Sequence, residues 1–399
     1  MPAFLTQFVS FALSVITSVA LLFTPATQAA NLTNVAYAKS FGQIEYTEDR
    51  LVPTEDADGW VFNTDKPLKV VQLTDVHIGG GLLSKYFDRR AMNAVAAMLT
   101  YEKPDLVVLT GDMVYPVPFQ GGTLNNKVST ELLITLLETL GVYYAPIFGN
   151  HDTESYSTHS RQQIGDVWGA DDLKYSLYKN GPEDVDGVGN YIIKVKNSNG
   201  IVNNALFCID SNAYTEGSLL GIDGDYDNIH ENQIEWYRTK VNEIDAANKA
   251  IDSTLPMFNS LVFIHIPLEE YGIAWEEYKA NGNTENVTYI AGEHRERTCC
   301  SPNPDNFFET VQELGSTKAI FCGHDHVNNG IVEYKGVKLV YGMSIDYIAY
   351  VDPITSLVGY QRGCTVINVK PDGDIEVSLE NYYQDKYDSK YLKEIVSMK

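Results

Sequence analysis

The stretch Tyr143-Tyr144-Ala145-Pro146-Ile147-Phe148-Gly149-Asn150-His151-Asp152 joins an apolar run to three polar side chains. The apolar run predicts a buried strand, and the glycine behind it allows a tight turn. The amide oxygen of Asn150 and a ring nitrogen of His151 can then serve one metal and one substrate. A strand end followed by polar residues is often only a turn. This stretch alone is therefore compatible with a functional site and with an ordinary turn.

Four other short segments also follow apolar runs and supply Asp or His: Asp75-Val76-His77, Gly111-Asp112, His265 and Gly323-His324-Asp325-His326. In an open α/β sheet, residues just past the carboxyl ends of the strands converge on one crevice. We therefore expect these segments to share a site with Asn150. Mixed oxygen and imidazole donors suit Mn, Fe or Zn rather than Ca. No donor set consists of thiolates, so a structural zinc finger is not indicated.

Apolar runs alternate with amphipathic segments, which predicts an α/β fold with a largely parallel sheet. The predicted strands cover residues 68–73, 106–109, 143–147, 191–195, 205–209, 260–264 and 318–322, followed by antiparallel strands at 338–341, 363–369 and 375–379. The predicted helices begin after Ser84, cover 130–140 before Gly141, and are marked by Ile234, Tyr237, Val241 and Ile244 and by Phe308, Val311 and Leu314. Residues 269–304 are polar and predict a loop that covers the site.

The amino-terminal end of the chain predicts export. Residues 1–29 are interpreted as a signal peptide with cleavage after Ala29, residues 30–65 as an N-terminal segment, and residues 66–399 as one catalytic domain. No Lys or Arg precedes Lys39, so an uncleaved signal anchor is the alternative. No later stretch is long and apolar enough to span a membrane. The protein is therefore expected to be secreted or otherwise extracytoplasmic.

The composition limits the partners. The 399 residues carry 29 Lys+Arg against 53 Asp+Glu, a net charge of −24, which argues against nucleic acid. An anionic substrate then needs a local positive centre, which metal ions provide. Two N-x-T sequons, at Asn31 and Asn286, fit an exported glycoprotein. The five cysteines leave at least one unpaired.

The five ordered motifs, within residues 68–343, resemble those of the calcineurin-like metallophosphoesterases, a family that includes the purple acid phosphatases. Residues 263–267, 300–302 and 233–236 are similar to the purple-acid-phosphatase-like branch of fungi and plants. The resemblance implies a β-sandwich flanked by helices (α/β/β/α), with the active site at the carboxyl ends of strands.

The resemblance also implies roles for individual residues. Asp75, His77 and His326 would hold a first metal, Asn150, His265 and His324 a second, and Asp112 would bridge them. His151 corresponds to the family's non-ligand histidine near the scissile phosphate. Purple acid phosphatases use a Tyr three residues after the bridging Asp, where this chain has Tyr115, but their first motif has Gly in place of His77. Either residue is then a candidate ligand, and we favour His77.

The implied cofactor is a pair of divalent or mixed-valence ions of Fe, Mn or Zn, about 4 Å apart, which clamp phosphate oxygens and lower the pKa of bound water. The hydroxide attacks phosphorus while protonated His151 donates to the leaving oxygen. Asp152 either orients His151 or is a solvated or helix-capping residue. We expect a secreted phosphoesterase acting on phosphate monoesters. The alternatives are a phosphodiesterase of the same fold and a catalytically silent relative that binds metal or phosphate.

Several other histidines and charged residues are candidates for roles outside the metal site. His159, His230 and His294 lack motif partners and are predicted to be surface or loop residues. Asp325 lies between two candidate ligands and is predicted to face away from them. Arg295 and Arg297 are either contacts to a substrate phosphate or part of a solvated face.

Overall fold

The computed structural model describes residues 24–47, 50–57, 59–215, 225–350 and 361–389. Most of the predicted signal peptide therefore lies outside the described residues. Within the described ranges, every helix is too short or too polar to cross a membrane.

The strands of the described residues form two sheets. They are β1 (Thr54–Asp56), β2 (Gly59–Asn63), β3 (Leu68–Leu73), β4 (Leu106–Thr110), β5 (Tyr144–Ile147), β6 (Tyr191–Lys196), β7 (Val202–Cys208), β8 (Asn259–Phe263), β9 (Val287–Ala291), β10 (Thr317–Cys322), β11 (Ile331–Tyr334), β12 (Val337–Tyr341), β13 (Gly363–Val369) and β14 (Ile375–Asn381). The larger sheet has the order β1-β2-β6-β7-β8-β10-β12-β11-β9, and the smaller has the order β14-β13-β3-β4-β5.

Helices flank both sheets. They are α1 (Thr24–Ala38), α2 (Lys85–Glu102), α3 (Asn126–Leu140), α4 (Arg161–Trp168), α5 (Glu231–Ile251), α6 (Glu269–Asn281) and α7 (Phe307–Leu314), with one 3₁₀ turn at His151–Thr153. In β8, Leu261 and Phe263 belong to the core that also contains the smaller sheet, α2 and α3. Val262 belongs to the core under α5, α6 and α7. Because successive strand side chains point to opposite faces, the larger sheet is covered on both sides, and the predicted α/β/β/α arrangement is confirmed.

The parallel pairs align the carboxyl ends that carry the motifs. In the smaller sheet β3, β4 and β5 run parallel, and in the larger sheet β7, β8, β10 and β12 do so. The prediction of an antiparallel strand at residues 338–341 is correct for one neighbour only, because β12 is antiparallel to β11 but parallel to β10. The strand β11 was not predicted.

The prediction of a loop over residues 269–304 is also wrong in part, because α6 and β9 occupy most of it. Only Tyr271 and Ala274 of α6 are buried, so this helix has no apolar stripe to reveal it in the sequence. The segment that remains irregular, residues 292–306, follows β9.

Two helix starts differ in detail from the prediction. Ser84 stands at the N-cap position of α2, but its hydroxyl donates to Asp88 and accepts the N–H of Gly81, and it makes no cap hydrogen bond to the helix. The helix α3 begins at Asn126, earlier than predicted, because the Asn125 side chain accepts from the Val128 N–H. It ends at Gly141 as predicted, with φ at 70°.

The amino-terminal residues pack on the domain. The helix α1 runs across the predicted cleavage point at Ala29 and contacts α2 and α3. Its buried Asn34 donates to Asp88 of α2 and accepts from Arg89. The strand β2 pairs with β6, so residues 59–63 belong to the larger sheet. The predicted cleavage and the boundary at residue 66 stay predictions.

Candidate metal centre

Donor side chains from both sheets meet where the parallel strands end. Two overlapping clusters, each with donor atoms within 4.8 Å of one another, consist of Asp75, His77, Asp112 and His326 and of Asp112, His265 and His324. All of these residues are buried, and Asp112 belongs to both clusters. The amide oxygen of Asn150 lies 3.2 Å from His265 Nε2, beside the second cluster. The structure therefore brings together all seven residues predicted as ligands.

Left-handed backbone aims several of these side chains inward. The φ angles of Asp75, His77, Asp112 and His324 are 50°, 53°, 53° and 76°. A non-glycine residue in this region costs roughly 1–3 kcal/mol. A Cβ on Gly149 would overlap the Asp112 carboxylate, so glycine is required before Asn150. The backbone thus holds the donors in place before any ion is bound.

The imidazoles of the first cluster are anchored by a carboxylate that the sequence did not suggest. His77 Nδ1 lies 3.1 Å from Asp346 Oδ1, and His326 Nδ1 lies 3.2 Å from Asp346 Oδ2. Their Nε2 atoms face Asp112 Oδ2 at 3.5 Å and Asp75 Oδ1 at 3.4 Å. Burial lowers the pKa of His77, but hydrogen bonds to Asp112 and Asp346 outweigh it and raise the pKa to about 9.

The second cluster is anchored by uncharged groups. His265 Nδ1 lies 2.9 Å from the carbonyl oxygen of Thr110, which leaves Nε2 3.2 Å from Asp112 Oδ2. Asn150 donates through Nδ2 to the Tyr214 hydroxyl, so its amide oxygen faces the cluster. Burial and the neighbouring His265 lower the pKa of His324 to about 3. The His324 ring is therefore neutral at neutral pH.

His151 lies beside the shared carboxylate. Its side chain is 27% exposed, and its Nε2 is 4.0 Å from Asp112 Oδ2. Its Nδ1 lies 2.7 Å from Glu154 Oε1, which also accepts from the Tyr214 hydroxyl at 3.0 Å. The ring is thus oriented by a carboxylate, accessible from solvent, and close to the clusters without belonging to them.

Asp152 does not orient that ring. Its carboxylate is buried and accepts the backbone N–H groups of Asp112, Val114 and Gly149. Asp152 is therefore neither solvated nor in contact with the imidazole, and the N-cap of the 3₁₀ turn is Asn150, so the predicted orienting, solvated and capping roles are all wrong. The chain forms a 3₁₀ turn at His151–Thr153, and the carboxylate that contacts His151 Nδ1 is that of Glu154, directly after this turn.

Half-buried tyrosines pack against the rings of the site. Tyr226 lies 4.4 Å from His324 and Tyr350 4.4 Å from His326, both between ring centroids. The Tyr115 ring lies 4.8 Å from His77. Burial and the nearby Asp346 carboxylate raise the pKa of Tyr115 above its ordinary value, so the phenol keeps its proton. The preference for His77 over Tyr115 as the ligand stays a prediction.

The histidines and charged residues that were not predicted as ligands make contacts outside the two clusters. Asp325 faces away from the donors and accepts from the Tyr341 hydroxyl at 2.6 Å. His230 contacts Asp186 and Asp227, His159 contacts Thr158, and the His294 ring stacks on Trp275. Arg295 pairs with Glu293, and Arg297 is exposed. A contact from either arginine to a substrate phosphate stays a prediction.

The donor set fits two transition-metal ions. Imidazole nitrogens, carboxylate oxygens and one amide oxygen are the ligand types that Mn, Fe and Zn accept. Ring nitrogens on the far side of three of the four imidazoles contact a carboxylate or a carbonyl, as is usual for metal-binding histidines.

Comparisons with known proteins agree with this geometry. The calcineurin-like phosphoesterase family model matches residues 68–328. A protein of Arabidopsis thaliana named "Probable inactive purple acid phosphatase 14" is 29% identical over 336 residues, 77% of this chain and 77% of the plant protein. The phosphatase DCR2 of Saccharomyces cerevisiae is 31% identical over 280 residues, 65% of this chain and 44% of the yeast protein.

Among solved structures, a dimetal phosphatase from Danio rerio resembles the chain with a TM-score of 0.50 and 12% identity. The match covers 80% of this chain and 98% of the zebrafish chain. At this identity the likeness concerns the fold alone.

Proposed function

The chain belongs to the calcineurin-like phosphoesterase family, and from that premise we propose that it is an active metal-dependent hydrolase of phosphate monoesters. The observation that carries the proposal is the complete donor set, with Asn150 beside the two clusters and His151 4.0 Å from the shared Asp112. A silent relative is expected to have lost some of these donors. The word "inactive" belongs to the plant relative's name, and the filled positions here support activity.

Two ions of Fe, Mn or Zn are the proposed cofactor. Asp75, His77 and His326 would hold the first, Asn150, His265 and His324 the second, and Asp112 both. When bound, such ions clamp phosphate oxygens and supply an activated water as nucleophile. The chain contributes donors that are buried and fixed by the left-handed backbone, so little reorganisation is needed.

His151 is the proposed general acid. Glu154 holds its Nδ1 at 2.7 Å, which leaves Nε2 as the atom that gives a proton to the leaving alkoxide. The exposed fraction of the side chain makes Nε2 reachable by a substrate. A positioned general acid contributes about 10²–10⁴-fold to the rate.

A monoester is favoured over a diester because relatives carry the name phosphatase. The acidic surface, with a net charge of −24, leaves the attraction of a dianionic phosphate to the ions themselves. A phosphodiesterase is the alternative of the same fold.

Metal content and turnover together test the proposal. The protein purified after expression with added Fe, Mn and Zn should contain about two ions per chain and hydrolyse 4-nitrophenyl phosphate faster than bis(4-nitrophenyl) phosphate. Asp112→Ala, prepared identically, controls for contaminating phosphatases. Two bound ions without turnover would identify a silent metal-binding relative, and faster hydrolysis of the diester would identify a phosphodiesterase.

We also propose that the protein is exported and cleaved after Ala29. The support is the sequence pattern of residues 1–29. Amino-terminal sequencing of protein secreted by a eukaryotic host should begin at Ala30. Retention of the full chain in the membrane fraction would instead favour the signal anchor.

A further inference from the structure

We propose that Asp346 is a positioning residue of the metal centre, which fixes His77 and His326 in the form that binds the first ion. The inference rests on the proposed metal-dependent function, and it concerns a residue outside the family motifs recognised in the sequence. Asp346 itself is not a ligand in this proposal, because it acts through the two imidazoles.

Each oxygen of the Asp346 carboxylate contacts a different histidine. Its Oδ1 lies 3.1 Å from His77 Nδ1, and its Oδ2 lies 3.2 Å from His326 Nδ1. The residues come from different parts of the chain, since His77 and Asp346 are 269 positions apart. One side chain after β12 therefore joins the ends of β3 and β10.

The backbone after Asp346 holds the carboxylate. Its Oδ1 also accepts the N–H groups of Ile348 at 2.8 Å and Ala349 at 2.7 Å, and its Oδ2 accepts that of Tyr350 at 2.8 Å. Arg362 donates to the Asp346 carbonyl oxygen at 2.9 Å. The residue is fully buried, and these contacts leave little freedom for the carboxylate to turn towards an ion.

The contacts determine which ring nitrogen binds the ion. A carboxylate accepts a hydrogen bond only from a protonated nitrogen, so Nδ1 of both rings carries the proton. In the neutral ring, Nε2 then has the free lone pair. These Nε2 atoms face Asp112 and Asp75, the other donors of the first cluster. A carboxylate in this role also makes the imidazole a stronger donor.

The variant Asp346→Asn tests the proposal because an amide has one acceptor end and one donor end. The donor end must face Nδ1 of either His77 or His326, so that ring has to move its proton to Nε2 and lose its free lone pair. We expect the first ion to bind 10–100-fold more weakly. The second ion, held by residues anchored elsewhere, should bind as in the unaltered protein.

Zinc binding is measured by competition with a chromophoric chelator, in the His324→Ala background as well as in the unaltered protein. His324→Ala removes a donor of the second cluster, so the remaining tight ion reports the first. The matched control is Asp325→Asn, another buried acid, which follows β10 and accepts from the Tyr341 hydroxyl and the Cys299 N–H rather than from an imidazole. This control should lower the affinity of the first ion much less.

Unchanged binding of the first ion in a folded Asp346→Asn protein would overturn the proposal, and so would equal weakening of both ions, which indicates a general structural role. If Asp346→Asn does not fold, Asp346→Glu retains the charge but displaces it by one methylene. Normal affinity for the first ion in that variant would also be contrary evidence. Since binding is measured rather than turnover, failure to hydrolyse phosphate esters leaves the result interpretable. An unaltered protein that binds no zinc would overturn both proposals.

Discussion

The two halves of the metal centre lie at the same edge of the fold but are supported differently. The imidazoles of the first half, His77 and His326, both contact the buried carboxylate of Asp346. In the second half, His265 contacts a backbone carbonyl and Asn150 contacts a tyrosine hydroxyl. Negative charge is therefore concentrated around the first half.

The difference shows that one geometric arrangement can give two unequal ion sites. An aspartate ligand and a carboxylate-supported pair of imidazoles favour a dication more than an amide oxygen and neutral rings do. We expect the first ion to be held tightly and the second to exchange more readily.

The largest expected effect comes from Asp112→Ala. Because this carboxylate belongs to both clusters, its loss should remove both ions and abolish turnover. Elemental analysis after gel filtration measures the ions. If one ion is retained in full, Asp112 does not bridge, and the two halves are independent.

His151→Ala should spare both ions but slow the reaction. An alkyl phosphate expels a basic alkoxide and needs a proton, so its chemical step should fall by about 10²–10⁴-fold. A nitrophenyl phosphate should lose much less, because nitrophenolate leaves without protonation.

The control for this variant is His159→Ala, which removes a ring that hydrogen-bonds to the Thr158 hydroxyl and keeps the backbone contacts of residue 159 with Asn126. Both substrates are assayed at one pH and at equal metal content. An equal loss for both substrates would mean that His151 acts electrostatically on the phosphoryl group rather than as an acid.

Asn150→Ala should weaken the binding of one ion and not of the other. It removes an uncharged donor of the second half, so the second ion should bind at least 10-fold more weakly while the first is retained. His77→Ala should do the opposite. A chelator titration of each variant gives the two affinities, and a loss of the same ion in both would contradict the assignment.

The pH dependence of ion binding should also differ between the halves. In the metal-free protein the pKa of His77 is raised to about 9 and that of His326 is also raised, so both rings are protonated at pH 7. In the second half only the pKa of His265 is raised, to about 9, whereas the pKa of His324 is lowered to about 3. Each ion must displace these protons.

The affinity for the first ion should therefore rise more steeply with pH than that for the second, because two rings rather than one must each lose a proton. Both should fall as the pH is lowered, because a raised pKa keeps the competing proton on the ring. Isothermal titration at several pH values in two buffers counts the protons released. Equal proton release for both ions would remove this distinction.

The sequence predicted the ligand positions because each lies directly after an apolar strand. Neither Asp346 nor Glu154 could be found in the same way. Asp346 also follows a strand, but its role depends on a contact across 269 positions that no local pattern encodes. The sequence suggests Asp152, the next residue, as the partner of His151. The actual partner is Glu154, because a 3₁₀ turn at His151–Thr153 places its carboxylate at Nδ1, and the residue types do not reveal this turn.

In the fold, too, local sequence patterns predict some elements, whereas long-range contacts determine others. Strands such as β3 and β4 are continuous apolar runs, since both of their faces are covered, and the sequence predicts them almost to the residue. The helix α6 escaped prediction because it buries only two side chains. The pairing of β12 depends on its neighbour β10, which adjacency in the sequence does not reveal.

The left-handed backbone at Asp75, His77, Asp112 and His324 has a consequence for how the protein acquires its ions. A chain that has already adopted the strained conformation during folding behaves as a preformed receptor, not as a segment that folds around its metal. Ion uptake should then bury almost no additional apolar surface, so its heat-capacity change should be close to zero. Calorimetry between 10 and 35 °C would detect the large negative value that metal-coupled folding requires.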